Sequence, residues 1–187
     1  MGFYDSPENV EQYVSMADGY DGRKLIEEMR RYLEPGSDVL EIGMGPGVDL
    51  DILGRWFNAT GSDNSDVFLQ RYLSTHPGAS VLNMDASTLE TDLRFDGVFS
   101  NKVLHHLDPG QQAESFRRQA AILNPEGYAF HSFWYGDEVE NFDGLLFYQH
   151  TENSLRSLVE FHFEVVELRR YTEMEPEDSL FAILQLR

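Results

Sequence analysis

The chain has 187 residues, 41% hydrophobic and 25% charged, with no cysteine and a formal net charge of −19. That length suits one domain spanning residues 1–187 with one core, and the missing cysteine excludes disulfides, a thiolate metal site and a cysteine nucleophile. Only Lys24 and Lys102 are lysines, so the surface field repels polyanions and nucleic acid is disfavoured as a partner.

No apolar run approaches the ~20 residues that span a bilayer, and Met1 to Glu8 lacks a basic start followed by an apolar stretch. A cytoplasmic protein that does not enter a membrane is therefore expected. In chain order, residues 1–21 precede the first predicted helix, 22–33, whose Leu25, Ile26, Met29 and Leu33 share one face. Arg23, Lys24, Arg30 and Arg31 are interleaved with Glu27, Glu28 and Glu34, which reads as a solvated helix face. Glu34-Pro35-Gly36 stops this helix. Strands are predicted at 39–42, 59–63, 80–84, 95–100, 127–134, 163–171 and 179–186, and helices at 47–57, 65–75, 110–123 and 151–160. This alternation predicts an α/β fold, a mostly parallel sheet with helices on both faces. The acidic turn 173–178 leaves no room for a helix, so the last two strands should form an antiparallel hairpin at the sheet edge.

In such a sheet, ligands sit beyond the carboxyl ends of the strands. The first strand ends in Gly43-Met44-Gly45-Pro46-Gly47, with Glu41 inside the strand. The G-x-G-x-G spacing differs from the G-x-G-x-x-G of dinucleotide sites. The second strand ends in Asp63 and Asn64, and the third in Met84-Asp85-Ala86-Ser87. The fourth runs from Phe95 to Asn101 and continues into Lys102-Val-Leu-His105-His106. Ile122-Leu-Asn-Pro-Glu-Gly-Tyr128 precedes the fifth.

Taken together, these pieces resemble the class I S-adenosylmethionine-dependent methyltransferases of small-molecule type, well over 36–134 and more loosely over 150–187. The resemblance implies a Rossmann-like seven-stranded sheet and S-adenosyl-L-methionine as cofactor. It implies that Gly43, Met44, Gly45 and Gly47 approach the cofactor's amino acid end. Glu41 either holds that end's ammonium or hydrogen-bonds the turn. Asp63 would take the ribose hydroxyls, with Asn64 beside the adenine; Asp85 and Ala86 would meet the adenine edge, and Asn101 and Lys102 the methionine part. Upstream, Tyr4, Tyr13 and Tyr20 are candidates for a lid over the cofactor within 1–21, or else packing tyrosines.

The acceptor reads as a small molecule, with His105 or His106 as general base or merely lining the site. His131 is a further histidine that either faces the pocket or does not, depending on register. Eight aromatic residues fall within 128–148, and 136–144 reads as an acidic loop over the acceptor side, which as a whole spans 135–150. The end of the fourth strand lacks the Asn/Asp-Pro-Pro-Tyr/Phe run of adenine- and glutamine-methylating enzymes, and no metal-ligand cluster stands out. Two other readings remain open: a non-catalytic protein that binds S-adenosylmethionine or its demethylated product, and an NAD-dependent oxidoreductase. Neither the acceptor nor the oligomeric state is legible.

Overall fold

The computed structural model describes residues 6–17, 19–142 and 144–187; Tyr4 lies outside them. The chain opens with α1 (Pro7–Met16), a helix that hydrophobic periodicity did not suggest. Its signal is local: Ser6 caps the Asn9 N–H and Pro7 occupies the first turn, where a missing N–H costs nothing. Next comes α2 (Arg23–Met29), shorter than predicted because the chain turns before Glu34. Leu25, Ile26, Met29 and Leu33 are all buried as expected.

Five strands follow in parallel: β1 (Asp38–Ile42), β2 (Asn58–Asp63), β3 (Val81–Asn83), β4 (Phe95–Asn101) and β5 (Leu123–Trp134). They alternate with α3 (Val48–Leu53), α4 (Asp66–Thr75) and α5 (Pro109–Ile122). The fifth strand begins four residues earlier than predicted, because Leu123 pairs with Phe95 ahead of a register shift, and Glu126 takes a left-handed φ of 65° there. Asp108 and Gln111 close a reciprocal capping box at the start of α5, with Pro109 in its first turn.

After β5 the predicted acidic loop is instead a hairpin, β6 (Val139–Phe142) and β7 (Leu145–Tyr148), forming its own two-stranded sheet. Every residue of β6 is exposed, so it carries no alternation of burial that the sequence could have shown. Then α6 (Glu152–Val159) leads to β8 (Phe163–Tyr171) and β9 (Ser179–Leu186). These two pair antiparallel, and β9 inserts beside β5.

The seven-stranded sheet therefore runs β3-β2-β1-β4-β5-β9-β8. Its strand order reverses between β1 and β4, which opens a crevice at their carboxyl ends. One face packs Leu40, Ile42, Phe133, Ala182 and Leu184 on Phe116, Leu155 and Val159; the other packs Val39, Phe99, Phe130, Phe181 and Ile183 on Leu25, Ile26 and Met29. Among the described residues no helix is long and apolar enough to cross a membrane.

Candidate active site

The three glycines after β1 all have positive φ, +69° at Gly43, +49° at Gly45 and +85° at Gly47, where an L side chain is strained. Their surroundings differ. A β-carbon on Gly43 would lie 2.5 Å from Val103, and one on Gly47 would lie 2.3 Å from the Tyr72 ring. Both are glycine because the protein itself fills the space. Gly45 meets only Cε1 of Tyr13, at an ordinary 3.8 Å. Met44 is different again: its side chain is buried with Leu50, Leu69 and Tyr72, so only its backbone belongs to the turn.

Asp63, at the end of β2, binds this turn directly. One carboxylate oxygen accepts the Gly45 N–H at 2.9 Å and the other accepts the Ser65 N–H at 2.9 Å. The Met84 N–H donates to the Asp63 carbonyl at 3.0 Å, which sets the ends of β2 and β3 side by side on one rim. Asn64 and Asp85 are exposed on this rim, and Ala86 is half-buried. Asp85 accepts from the Ser87 N–H at 2.7 Å, and Ser115 Oγ donates to the Ala86 carbonyl at 2.6 Å.

Beneath the turn lies a nest of carboxylates. Glu41 is buried and its Oε2 has no hydrogen-bond partner among the described residues. Burial, reinforced by Asp49, Asp63 and Asp51, holds its carboxyl well above the usual range. Asp49, in the first turn of α3, accepts from the Gly22 N–H at 2.6 Å and from Asn101 Nδ2 at 3.0 Å. Burial also raises Asp49 and Asp63. The Tyr13 phenol is raised by burial first, then by Asp49, Asp63 and Glu41. It is held over the turn by an edge contact with Phe68 at 5.8 Å and, two residues earlier, by the ion pair of Glu11 with Arg71. Tyr20, by contrast, is exposed. Sequence reasoning passed over Asp49; its signal was an acid in the helical turn that directly follows the glycines.

On the other side of the crevice, Asn101 joins Asp49 to Ser132, whose hydroxyl donates to Asn101 Oδ1 at 2.6 Å. Lys102 has a left-handed φ of 56°. Its Nζ donates to the Phe133 carbonyl at 2.9 Å and to Ser179 Oγ at 2.7 Å, and sits 3.4 Å above the Trp134 ring. Burial lowers its pKa to about 7 against the opposing fields of Glu173 and Asp178. Lys102 therefore turns towards β9, and Trp134 is occupied as its platform. Tyr135 similarly lies under Arg170, at 3.8 Å.

His105 and His106 lie on a single 3₁₀ turn, Leu104–His106, with ring centroids 4.0 Å apart. His106 Nδ1 donates to the Leu146 carbonyl at 2.7 Å, and burial lowers its pKa. His105 is buried with both ring nitrogens unpartnered among the described residues, and burial holds it well below 6.5. The register places His131 on the α5 face of the sheet, away from the crevice. There it bridges Ser100 Oγ at 2.8 Å and Gln119 Oε1 at 2.8 Å, and burial lowers its pKa to about 3. His150 is likewise fixed, between Ser154 and Gln112.

A family model described as a methyltransferase domain matches residues 16–180. No curated protein sequence matches the chain. Among solved structures, the chain is similar to the 1,6-didemethyltoxoflavin-N1-methyltransferase of Burkholderia thailandensis, crystallised with 1,6-didemethyltoxoflavin and S-adenosylhomocysteine: TM-score 0.80, 22% identity, covering 94% of this chain and 82% of that one. It is similar to the N-methyltransferase NodS of Bradyrhizobium japonicum, in complex with S-adenosylhomocysteine: TM-score 0.74, 16% identity, 99% of each chain covered. The glycopeptide N-methyltransferase MtfA also matches, with TM-score 0.74 and 17% identity over 92% of this chain and 100% of that one. At such identities the solved structures speak to the fold, a Rossmann-like methyltransferase sheet; the family match spans most of the sequence, and the chain belongs to the methyltransferase-domain family.

Proposed function

We propose that this protein is an enzyme that transfers a methyl group from S-adenosyl-L-methionine to a small-molecule acceptor. One observation carries the cofactor assignment: a buried carboxylate oxygen of Glu41 without a partner among the described residues, beside the one glycine of the turn whose β-carbon position they leave uncrowded. A carboxylate buried without a cation is costly, and S-adenosylmethionine brings both an ammonium and a sulfonium. Asp49 and Asp63 add to the same negative field, so the residues present fit the cofactor. The bound cofactor would supply an activated methyl group with its leaving group already attached.

The rest is positioning. Glu41 holds the ammonium, and Gly45 lets the backbone come close. Asp63 fixes the turn through Gly45 and offers its remaining lone pairs to the ribose hydroxyls, while Asn64, Asp85 and Ala86 border the adenine. Asn101, held by Asp49 and Ser132, contacts the methionine part. Tyr13 covers the site and excludes water, as a lid within residues 1–21. Lys102 braces the end of β4 from behind. His106 is the group that takes the acceptor's proton: its Nδ1 donates to the Leu146 carbonyl, so the basic lone pair sits on Nε2. The acceptor side is formed by residues 135–150.

Calorimetry with S-adenosylmethionine, S-adenosylhomocysteine and NAD tests the cofactor, and transfer of labelled methyl to a panel of small amines, phenols and heteroaromatic N–H compounds tests the reaction. Binding of the first two with labelled product is expected. Binding of NAD instead would overturn the assignment, and tight binding without transfer to any acceptor would favour a sensor.

A further inference from the structure

The structure assigns the β6–β7 hairpin as the positioning element for His106: the Leu146 carbonyl, clamped by Phe147 against both imidazoles, fixes the proton on Nδ1 and leaves the lone pair on Nε2. This inference rests on the reading of His106 as the base. A carbonyl only accepts hydrogen bonds, so the 2.7 Å contact from Nδ1 to Leu146 determines which nitrogen carries the proton. Phe147 stacks on His105 at 5.4 Å and 21°, and meets His106 edge-on at 4.8 Å and 78°. One ring thus ties β7 to both histidines.

A two-stranded ribbon is marginal by itself, and β6 is exposed along its whole length, so the docking rests on β7. The roots, in contrast, are clasped. The His150 N–H donates to the Trp134 carbonyl at 3.0 Å, and the Gly136 N–H to the His150 carbonyl at 3.3 Å. A hairpin with fixed roots and a docked inner strand can order or release the base without disturbing the large sheet. Among the described residues, the groups facing the pair carry no negative charge: Leu146 and Phe147 face His106 from β7, His105 lies on its own turn, and Lys102 and His150 act on His105. Burial moves His106 below its ordinary range, against the hydrogen bond to Leu146, which works the other way; undocking the hairpin removes both and returns it towards 6.5.

Long-range proton–nitrogen NMR on the full chain with nitrogen-labelled histidine reads the tautomer directly and needs no acceptor. In the unaltered protein at pH 8, His106 is expected as the Nδ1–H tautomer, titrating below 6.5. In Phe147→Ala the Nδ1–H form should give way to a mixture, with the titration shifted upward; Phe147→Leu, which keeps bulk on the ring, should restore most of the original signal. An Nε2–H tautomer in the unaltered protein, or an unchanged tautomer and titration in folded Phe147→Ala, would overturn the inference. If Phe147→Ala does not fold, the unaltered protein and Phe147→Leu still decide, since Phe147→Leu must keep the Nδ1–H form. If His106→Asn transfers methyl at the full rate, the base assignment fails whatever the tautomer shows.

Discussion

At the ends of β1 and β2 the crevice is lined by Glu41, Asp49 and Asp63, carboxyls whose pKa values burial raises; around the ends of β4 and β5 stand imidazoles and an amine, packed against β7, α5 and β9, whose pKa values burial lowers. Both halves are therefore driven towards neutrality by the same low-dielectric surroundings, from opposite directions. Among the described residues the carboxylate half lacks a positive partner, which suits a cationic ligand. The imidazole half is already satisfied at His131 and His150 by amide and hydroxyl partners, while the His105–His106 pair is held against β7. On the proposed function, ligand demand sits on one side of β1 and proton handling on the other.

The largest expected effect separates two glycines of the same turn. Gly47→Ala should cost roughly 2–5 kcal/mol, combining left-handed strain with overpacking against Tyr72. Gly45→Ala should cost only the strain, about 1–2 kcal/mol, yet weaken S-adenosylhomocysteine binding more than Gly47 variants that still fold. Chemical denaturation and calorimetry on both variants check this. Equal binding losses would remove the distinction between packed and open glycines.

The next effect tests the opposed titrations. His150 has a folded pKa of about 4, below its ordinary 6.5, so the unfolded chain binds more protons between those values and stability falls as pH drops through that window. The loss should be on the order of 3 kcal/mol, and His150→Gln should flatten the Tm-against-pH curve between pH 6.5 and 4.

Asp63→Asn should weaken S-adenosylhomocysteine binding by roughly 10–100-fold, since a hydrogen bond to a charged group contributes about 1.5–3 kcal/mol. An amide has one acceptor oxygen, and Asp63 serves two N–H donors with two oxygens. Unchanged affinity by calorimetry would take Asp63 out of the site.

Smallest in size but sharpest in sign is Glu41→Gln. Its folded pKa lies above the unfolded value, so Glu41 lowers stability as pH rises from about 4.5 towards its folded pKa. The amide should raise stability at pH 7 by about 1–3 kcal/mol while weakening cofactor binding. A variant that is both less stable and equally good at binding would show that Glu41 merely supports the turn.

Much of the frame was legible in the chain. The seven strands of the main sheet, the edge hairpin of β8 and β9, the glycine turn and the acids at the ends of β2 and β3 depend on local periodicity and on residues a few positions apart. The β6–β7 hairpin escaped because one of its strands faces solvent throughout, leaving no alternation to read. The acid of α3 escaped because its partners, Gly22 and Asn101, lie 27 and 52 residues away.

The order of glycines, acids and histidines along the chain determined the kind of site this protein has. Which members of that set meet was decided in three dimensions. His131 faces α5, a choice the pattern left open, and Lys102 turns to Trp134, although the resemblance placed it at the methionine part of the cofactor. Tyr13 lies over Gly45 while Tyr20, seven residues on, stands in solvent. The reason is parity and packing: shifting a strand by one residue exchanges its faces, and only pairing with distant segments fixes that choice.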